Sequence, residues 1–317
     1  METVLIVGAT GQDGAYLTKL LLNKGLKVVG TSRDASVCDT SRLKKLNVLD
    51  DIKLISLAPN DFRNVLKVIS TINPSKIFNL SGQTSVGLSF DQPVECMDSI
   101  AGSTINFLEA LRFLKSDIKF FNAGSSECFG DTFNQSATED FPFKPCSPYA
   151  VAKSTAYWLV ANYRVSYGIF CCTGILSNHE SPLRPSRFVT KKIVKHVAEI
   201  KAGLRNSLSL GNVNIHRDWG WAPEYVNAMY LMLDSSTPDD YIISSGSSNS
   251  LKEFVNLAFQ YFDLNPEEFL KIDNSFIRPA DISYSAMTPK KILKNLGWKA
   301  EKDLNYIVKS MIENKLY

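Results

Sequence analysis

The sequence has little that would draw it into a membrane or onto a polyanion. Its 317 residues contain no run of eighteen apolar residues, so no membrane-spanning helix is expected. Met1 leads almost at once into apolar Val4-Leu5-Ile6-Val7, so no secretory leader is expected either. Six cysteines, at 38, 96, 128, 146, 171 and 172, make no C-x-x-C pair, which points to reduced thiols in the cytoplasm rather than to a zinc site or a disulfide framework. Three scattered histidines, at 179, 196 and 216, have no metal-site spacing, and no metal is expected. A net charge of +3 with no basic block leaves nucleic acid without a footprint, although individual arginines suit a diphosphate. No repeat or low-complexity stretch occurs. The length suffices for one large α/β core with a smaller lobe.

What is present begins at residue 4. The apolar run Val4-Leu5-Ile6-Val7 reads as a buried strand running into Gly8-Ala9-Thr10-Gly11-Gln12-Asp13-Gly14. Gly8 and Gly11 permit a tight turn and close approach of a pyrophosphate, while Gly14 lets the next helix lie against the sheet. That helix, about 15–24, aims its N-terminal amides at the phosphates, so Gly8, Thr10, Gly11, Gln12, Asp13 and Gly14 form the candidate dinucleotide cradle. Further strands at 27–31, 53–57, 76–80 and 119–123 alternate with helices at 61–72 and 101–114. The pattern predicts an α/β fold, a Rossmann-like doubly wound parallel sheet with helices on both faces. Ligands of such sheets bind beyond the carboxyl ends of the strands, where Leu80 and the loop Ser81-Gly82-Gln83-Thr84 are expected to cover a cofactor. Arg33, after the second strand, suits a ribose 2′-phosphate and favours NADP, with NAD the alternative because Asp34 could take the ribose.

Tyr149 and Lys153 stand at i and i+4 and therefore share one helical face. The ammonium can stabilise a tyrosinate and hold the cofactor ribose, which makes Tyr149 a candidate acid/base for a sugar hydroxyl. Ser125 and Glu127 follow the strand at 119–123, whose end a parallel sheet can bring beside Tyr149. Ser125 offers a neutral hydroxyl and Ser126 either holds the loop or meets substrate. Glu127 adds a carboxylate that simple hydride transfer does not need, suggesting proton abstraction or elimination as well; the structural alternative is a loop-closing hydrogen bond.

GATGQDGAYL at 8–17, SSE at 125–127, SPYAVAK at 147–153, NHESP at 178–182, FVTKKI at 188–193, RDWG at 217–220, RPAD at 278–281 and LGW at 296–298 are spread over almost the whole chain. On these motifs the sequence resembles the extended short-chain dehydrogenases/reductases, and among them the GDP-mannose 4,6-dehydratase family. The resemblance implies that Ser125, Glu127, Tyr149 and Lys153 are catalytic. It also implies sugar contacts from Asn178 and Glu180, guanine or ribose contacts near Val189 and Lys192, and diphosphate contacts from Arg217 and Arg278. The implied activity is an internal redox dehydration of a GDP-sugar, and the implied assembly a homodimer or homotetramer. An NADP-linked reductase or epimerase, and a non-catalytic nucleotide-binding scaffold, are the alternatives.

The sequence departs from the family pattern at Asp34, in place of the second of two arginines, at Ala58, in place of an adenine-contacting aspartate, and at Cys128-Phe129. It departs again at Leu183, at Pro185-Ser186-Arg187 and at Trp221. His179 is expected to support its loop, His196 to pack, His216 to serve a turn or face phosphate, and Lys191 to be an ordinary solvated lysine. The expected organisation is a cofactor domain over 1–173, joined by about 236–264, and a nucleotide-sugar lobe over the remainder of 174–317.

Overall fold

The protein, described here from a computed structural model, is defined over residues 2–276 and 280–317. Its first six strands are β1 Thr3–Val7, β2 Lys27–Ser32, β3 Lys53–Ser56, β4 Lys76–Asn79, β5 Lys119–Ala123 and β6 Cys171–Leu176. The remaining six are β7 Asn178–Glu180, β8 Leu208–Leu210, β9 His216–Trp221, β10 Tyr241–Ile243, β11 Ser248–Ser250 and β12 Leu270–Ile272. Seven of them make one sheet in the order β10-β6-β5-β4-β1-β2-β3, with every pairing parallel. β1 sits between β2 and β4, so the strand order reverses there and the chains leaving β1 and β4 part to opposite faces. A crevice at the carboxyl ends of the strands follows from that reversal.

The central strands are apolar almost throughout because helices cover both faces. On one face Leu5, Val7, Ile77 and Phe120 pack with Phe107, Leu111 and Val160 from the helices Ser103–Leu114 and Pro148–Tyr167. On the other, Val4, Ile6, Phe78 and Phe121 pack with Leu17, Leu21, Val226 and Met229 from the helices Gln12–Asn23 and Ala222–Asp234. Each such aliphatic or aromatic side chain contributes about 1.5–3 kcal/mol when removed from water. Among the described residues no helix is long and apolar enough to cross a membrane.

The smaller lobe is built on β9, which pairs parallel with β7 and antiparallel with β11. Trp219, Trp221, Phe254, Phe259 and Met311 form its core with the helices Val189–Lys201, Leu251–Gln260 and Leu304–Glu313. Ser250 and Glu253 close a reciprocal capping box at the second of these, with Glu253 N donating to Ser250 Oγ at 3.1 Å.

Three expectations need correcting. Of residues 236–264 only β10 returns to the large sheet, while β11 and the helix Leu251–Gln260 belong to the lobe. Conversely, the helix Ala222–Asp234, expected in the lobe, packs beside Gln12–Asn23, because its apolar face of Val226, Met229 and Leu233 completes the large core. The helix expected from residue 101 also begins earlier, as short turns from Val86 with a restart at Pro93 that feed into Ser103–Leu114.

Candidate active site

The candidate reacting groups meet at the carboxyl end of β5. Ser147 caps the helix Pro148–Tyr167 by accepting from Ala150 N at 3.1 Å, and Pro148 at the first helical position needs no hydrogen-bond acceptor. This start presents Tyr149 and Lys153 toward the strand end, where Lys153 Nζ donates to the carbonyl of Ala123, the last residue of β5, at 2.6 Å. Two residues later Ser125 caps the turn Ser126–Phe129 by accepting from Glu127 N at 3.3 Å. Ser125, Ser126, Glu127, Tyr149 and Lys153 therefore line one cleft of about 490 Å³. Burial pushes the Lys153 ammonium down to about 8, poising it to change charge near neutrality. Burial pushes the Tyr149 phenol up, opposed by its hydrogen bond with Ser125 and by the Arg184 guanidinium. Tyr149 is thus protonated at rest and is equipped to exchange its proton through Ser125.

The glycine turn lies across the crevice from β4. Gly8 has φ +89°, and a Cβ there would come 3.1 Å from the Leu80 carbonyl, so glycine allows the β1 turn and the β4 end to close on each other. A Cβ on Gly14 would meet Gly8 O at 2.3 Å, which explains the helix seating directly on the turn. Gly11 begins that helix without a side-chain cap, leaving its first-turn amides to an anion. The residues fit a dinucleotide, but not wholly as expected, because the Gln12 and Asp13 side chains serve the protein itself. Gln12 Nε2 donates to the His179 carbonyl at 3.1 Å, and Gln12 Oε1 accepts from Ser181 Oγ at 2.8 Å. Asp13 Oδ2 lies 2.9 Å from His179 Nε2, while His179 Nδ1 is 2.7 Å from the Ser177 carbonyl. Burial disfavours charge on both His179 and Asp13, yet their pairing outweighs it, holding the imidazole above and the carboxyl below their ordinary values. His179 is accordingly a support for β7, with its ring stacked 4.8 Å from that of Tyr225.

Sequence reasoning missed two arginines here. Arg42 donates from Nη1 to the Thr10 carbonyl at 3.2 Å and from Nε to the Leu183 carbonyl at 3.0 Å, joining the glycine turn to the lobe. Arg184 lines the cleft with its guanidinium 3.8 Å from the centre of the Phe188 ring. Arg184 adjoins the NHESP motif and could have been found by its position, whereas nothing local marks Arg42. At the outer end of β2, Arg33 is exposed, and Asp34 turns its carboxylate onto Ser36 N at 2.9 Å and Ser36 Oγ at 2.6 Å.

On the substrate side Asn178, Val189, Lys192 and Arg217 all border the same cleft. Arg217 is buried, donating from Nη1 to the Ile282 carbonyl at 2.7 Å, and lies 3.3 Å from Asp281. Glu180 also lines the cleft, where it is 1% exposed, accepts from Thr190 Oγ1 at 2.7 Å and lies 3.2 Å from Arg184 Nε, so its carboxylate positions Arg184. Lys191 is half-buried rather than freely solvated, and burial lowers its pKa. His216 packs on the Tyr284 ring at 5.2 Å. Arg278 lies outside the described residues. A second cavity of about 550 Å³ beside Asn249, Asn256 and Asp303 holds none of the reacting groups, and two of its acids, Glu253 and Asp303, are spent capping helices.

The family model for GDP-mannose 4,6 dehydratase matches residues 5–311. The chain belongs to that family. It is 39% identical over 325 residues to GDP-mannose 4,6 dehydratase 2 of Arabidopsis thaliana, covering 99% of this chain and 87% of that one. Its fold matches a UDP-glucose 4-epimerase of Thermus thermophilus in complex with NAD, with a TM-score of 0.86, 21% identity and 98% of each chain covered. It also matches a dTDP-glucose 4,6-dehydratase of Bacillus anthracis in complex with NAD, with a TM-score of 0.85 and 16% identity over 99% of this chain and 96% of that one. In this family member the glycine turn and crevice make a dinucleotide-binding Rossmann site.

Lys153 gives the site a pH signature. In the resting enzyme its ammonium, observed through a labelled Cε, should titrate with a midpoint near 8; a midpoint at the ordinary 10.5 would contradict the buried setting described.

Proposed function

We propose that the chain converts GDP-D-mannose to GDP-4-keto-6-deoxy-D-mannose with a resident NADP. The observation that carries this reading is Glu127, a carboxylate placed in the cleft of a Ser125, Tyr149 and Lys153 set that would by itself suffice for hydride transfer. When bound, the dinucleotide supplies the means to take a hydride from C4 and return it at C6. Tyr149 first gives up its own proton to solvent through Ser125, and the phenolate, steadied by the Lys153 charge, then accepts the C4 hydroxyl proton. Oxidation at C4 acidifies the C5 hydrogen. Glu127 removes that proton and protonates the departing C6 hydroxyl, which leaves as water. The proton that Tyr149 took from the C4 hydroxyl returns to C5 as C6 is reduced, so the cofactor is regenerated. By role, Ser126 and Asn178 serve the hexose, Arg217 and Arg278 the diphosphate, and Val189 and Lys192 the guanosine end.

NADP is favoured over NAD by Arg33, which stands exposed at the end of β2 while Asp34 is occupied within its own turn. A homodimer is favoured by the exposed apolar side chains Val151, Trp158 and Val165, seven residues apart on the helix Pro148–Tyr167, with exposed Phe113 on the helix Ser103–Leu114. Six free cysteines suit the cytoplasm.

Glu127→Gln should retain bound cofactor and lose at least about a hundredfold in water elimination, as judged by product identification with GDP-mannose and no added reductant. Normal dehydration by this variant would remove Glu127 from the mechanism, and net consumption of NADPH by the wild type would mark a reductase. Arg33→Ala should weaken NADPH binding while leaving NADH binding nearly as it was; equal discrimination in both proteins would overturn the 2′-phosphate assignment.

A further inference from the structure

The two ends of the cleft differ in chemistry. Ser125, Glu127, Tyr149 and Lys153 occupy one end. The loops after β8 and β12 shape another part, and these strands run side by side in parallel, with Leu210 opposite Ile272 and Asp273 N continuing the ladder to the Leu210 carbonyl at 2.8 Å. From the second loop Phe276 enters the cleft lining. Gly211 allows it to lie close, since a Cβ at that glycine would sit 3.3 Å from the Phe276 backbone. Phe276 is 51% exposed, and Lys192 Nζ stands 3.9 Å from the centroid of its ring. One of the three Lys192 donors is used on the Ser209 carbonyl at 2.8 Å. The half-exposed ring thus has a cation over one face and apolar Leu210 and Ile215 nearby in the lining. Its other face suits a flat π-system that stacks on the ring.

We propose that Phe276 is the stacking wall for the nucleobase of the substrate, and that Lys192, seated on the opposite face, fixes the ring. This inference rests on the reading of the cleft as a nucleotide-sugar site and adds to it a residue that determines nucleotide affinity. The sugar then lies toward Tyr149, with Arg217 on the diphosphate between them.

Calorimetric titration of the cofactor-loaded enzyme with GDP, and separately with mannose 1-phosphate, tests the wall. Phe276→Ala should weaken GDP binding about tenfold and raise KM for GDP-mannose in proportion, with kcat at saturation close to wild type and mannose 1-phosphate affinity unchanged. Phe276→Trp should restore GDP binding, and Phe276→Leu, which keeps bulk without a π-face, should not. GDP binding at wild-type strength in either Phe276→Ala or Phe276→Leu would overturn the proposal, as would a parallel loss of mannose 1-phosphate affinity. Should the wild type bind GDP with this dependence on Phe276 but leave GDP-mannose unchanged, the stacking wall stands and the dehydratase reading falls.

Discussion

One contact holds the reaction centre together: the hydrogen bond from Lys153 Nζ to the Ala123 carbonyl at 2.6 Å. It joins the helix carrying Tyr149 to the end of the strand whose next residues are Ser125 and Glu127, so groups far apart in the chain acquire one frame. The bond works because both partners are withdrawn from water. An ammonium in such surroundings loses solvation, which lowers its pKa to about 8, and a backbone carbonyl that remains after the strand has ended is the acceptor that partly repays it. A parallel sheet supplies that acceptor as a matter of geometry, since its strands finish together at the edge where the crevice opens.

A second buried interaction ties the cofactor turn to the sugar side. Asp13 belongs to the helix that follows the glycine turn, and His179 belongs to β7 beside Asn178. A buried ion pair of this kind adds little net stability compared with apolar packing, and losing one partner leaves a stranded charge. Its value lies in registry. With both imidazole nitrogens facing acceptors and Gln12 bridging to Ser181, β7 has one position relative to the phosphate cradle, which sets where a hexose meets a nicotinamide.

Much of this was legible because the strongest signals are local. The glycine spacing specifies a turn whose close approaches only glycine tolerates, and Tyr149 and Lys153 share a face through helical periodicity alone. Ser125 and Glu127 needed one further inference, that a strand end stands beside that helix. The pairing of Ala222–Asp234 with Gln12–Asn23 was hidden, because an apolar helix face does not declare which core it joins. Arg42 was hidden for a related reason: its acceptors at Thr10 and Leu183 lie 32 and 141 residues away. Glu180 was legible only as a carboxylate of the sugar motif; that Thr190 and Arg184 flank it depends on the fold.

The account requires oxidation, elimination and reduction to occur on one bound hexose, with the hydride never leaving the pocket. GDP-mannose deuterated at C4, turned over in the presence of excess unlabelled NADPH, tests this most directly. The account predicts the label at C6 of the product and none in the free nicotinamide or the solvent; label appearing in the added cofactor pool, or a C6 without deuterium, would contradict it.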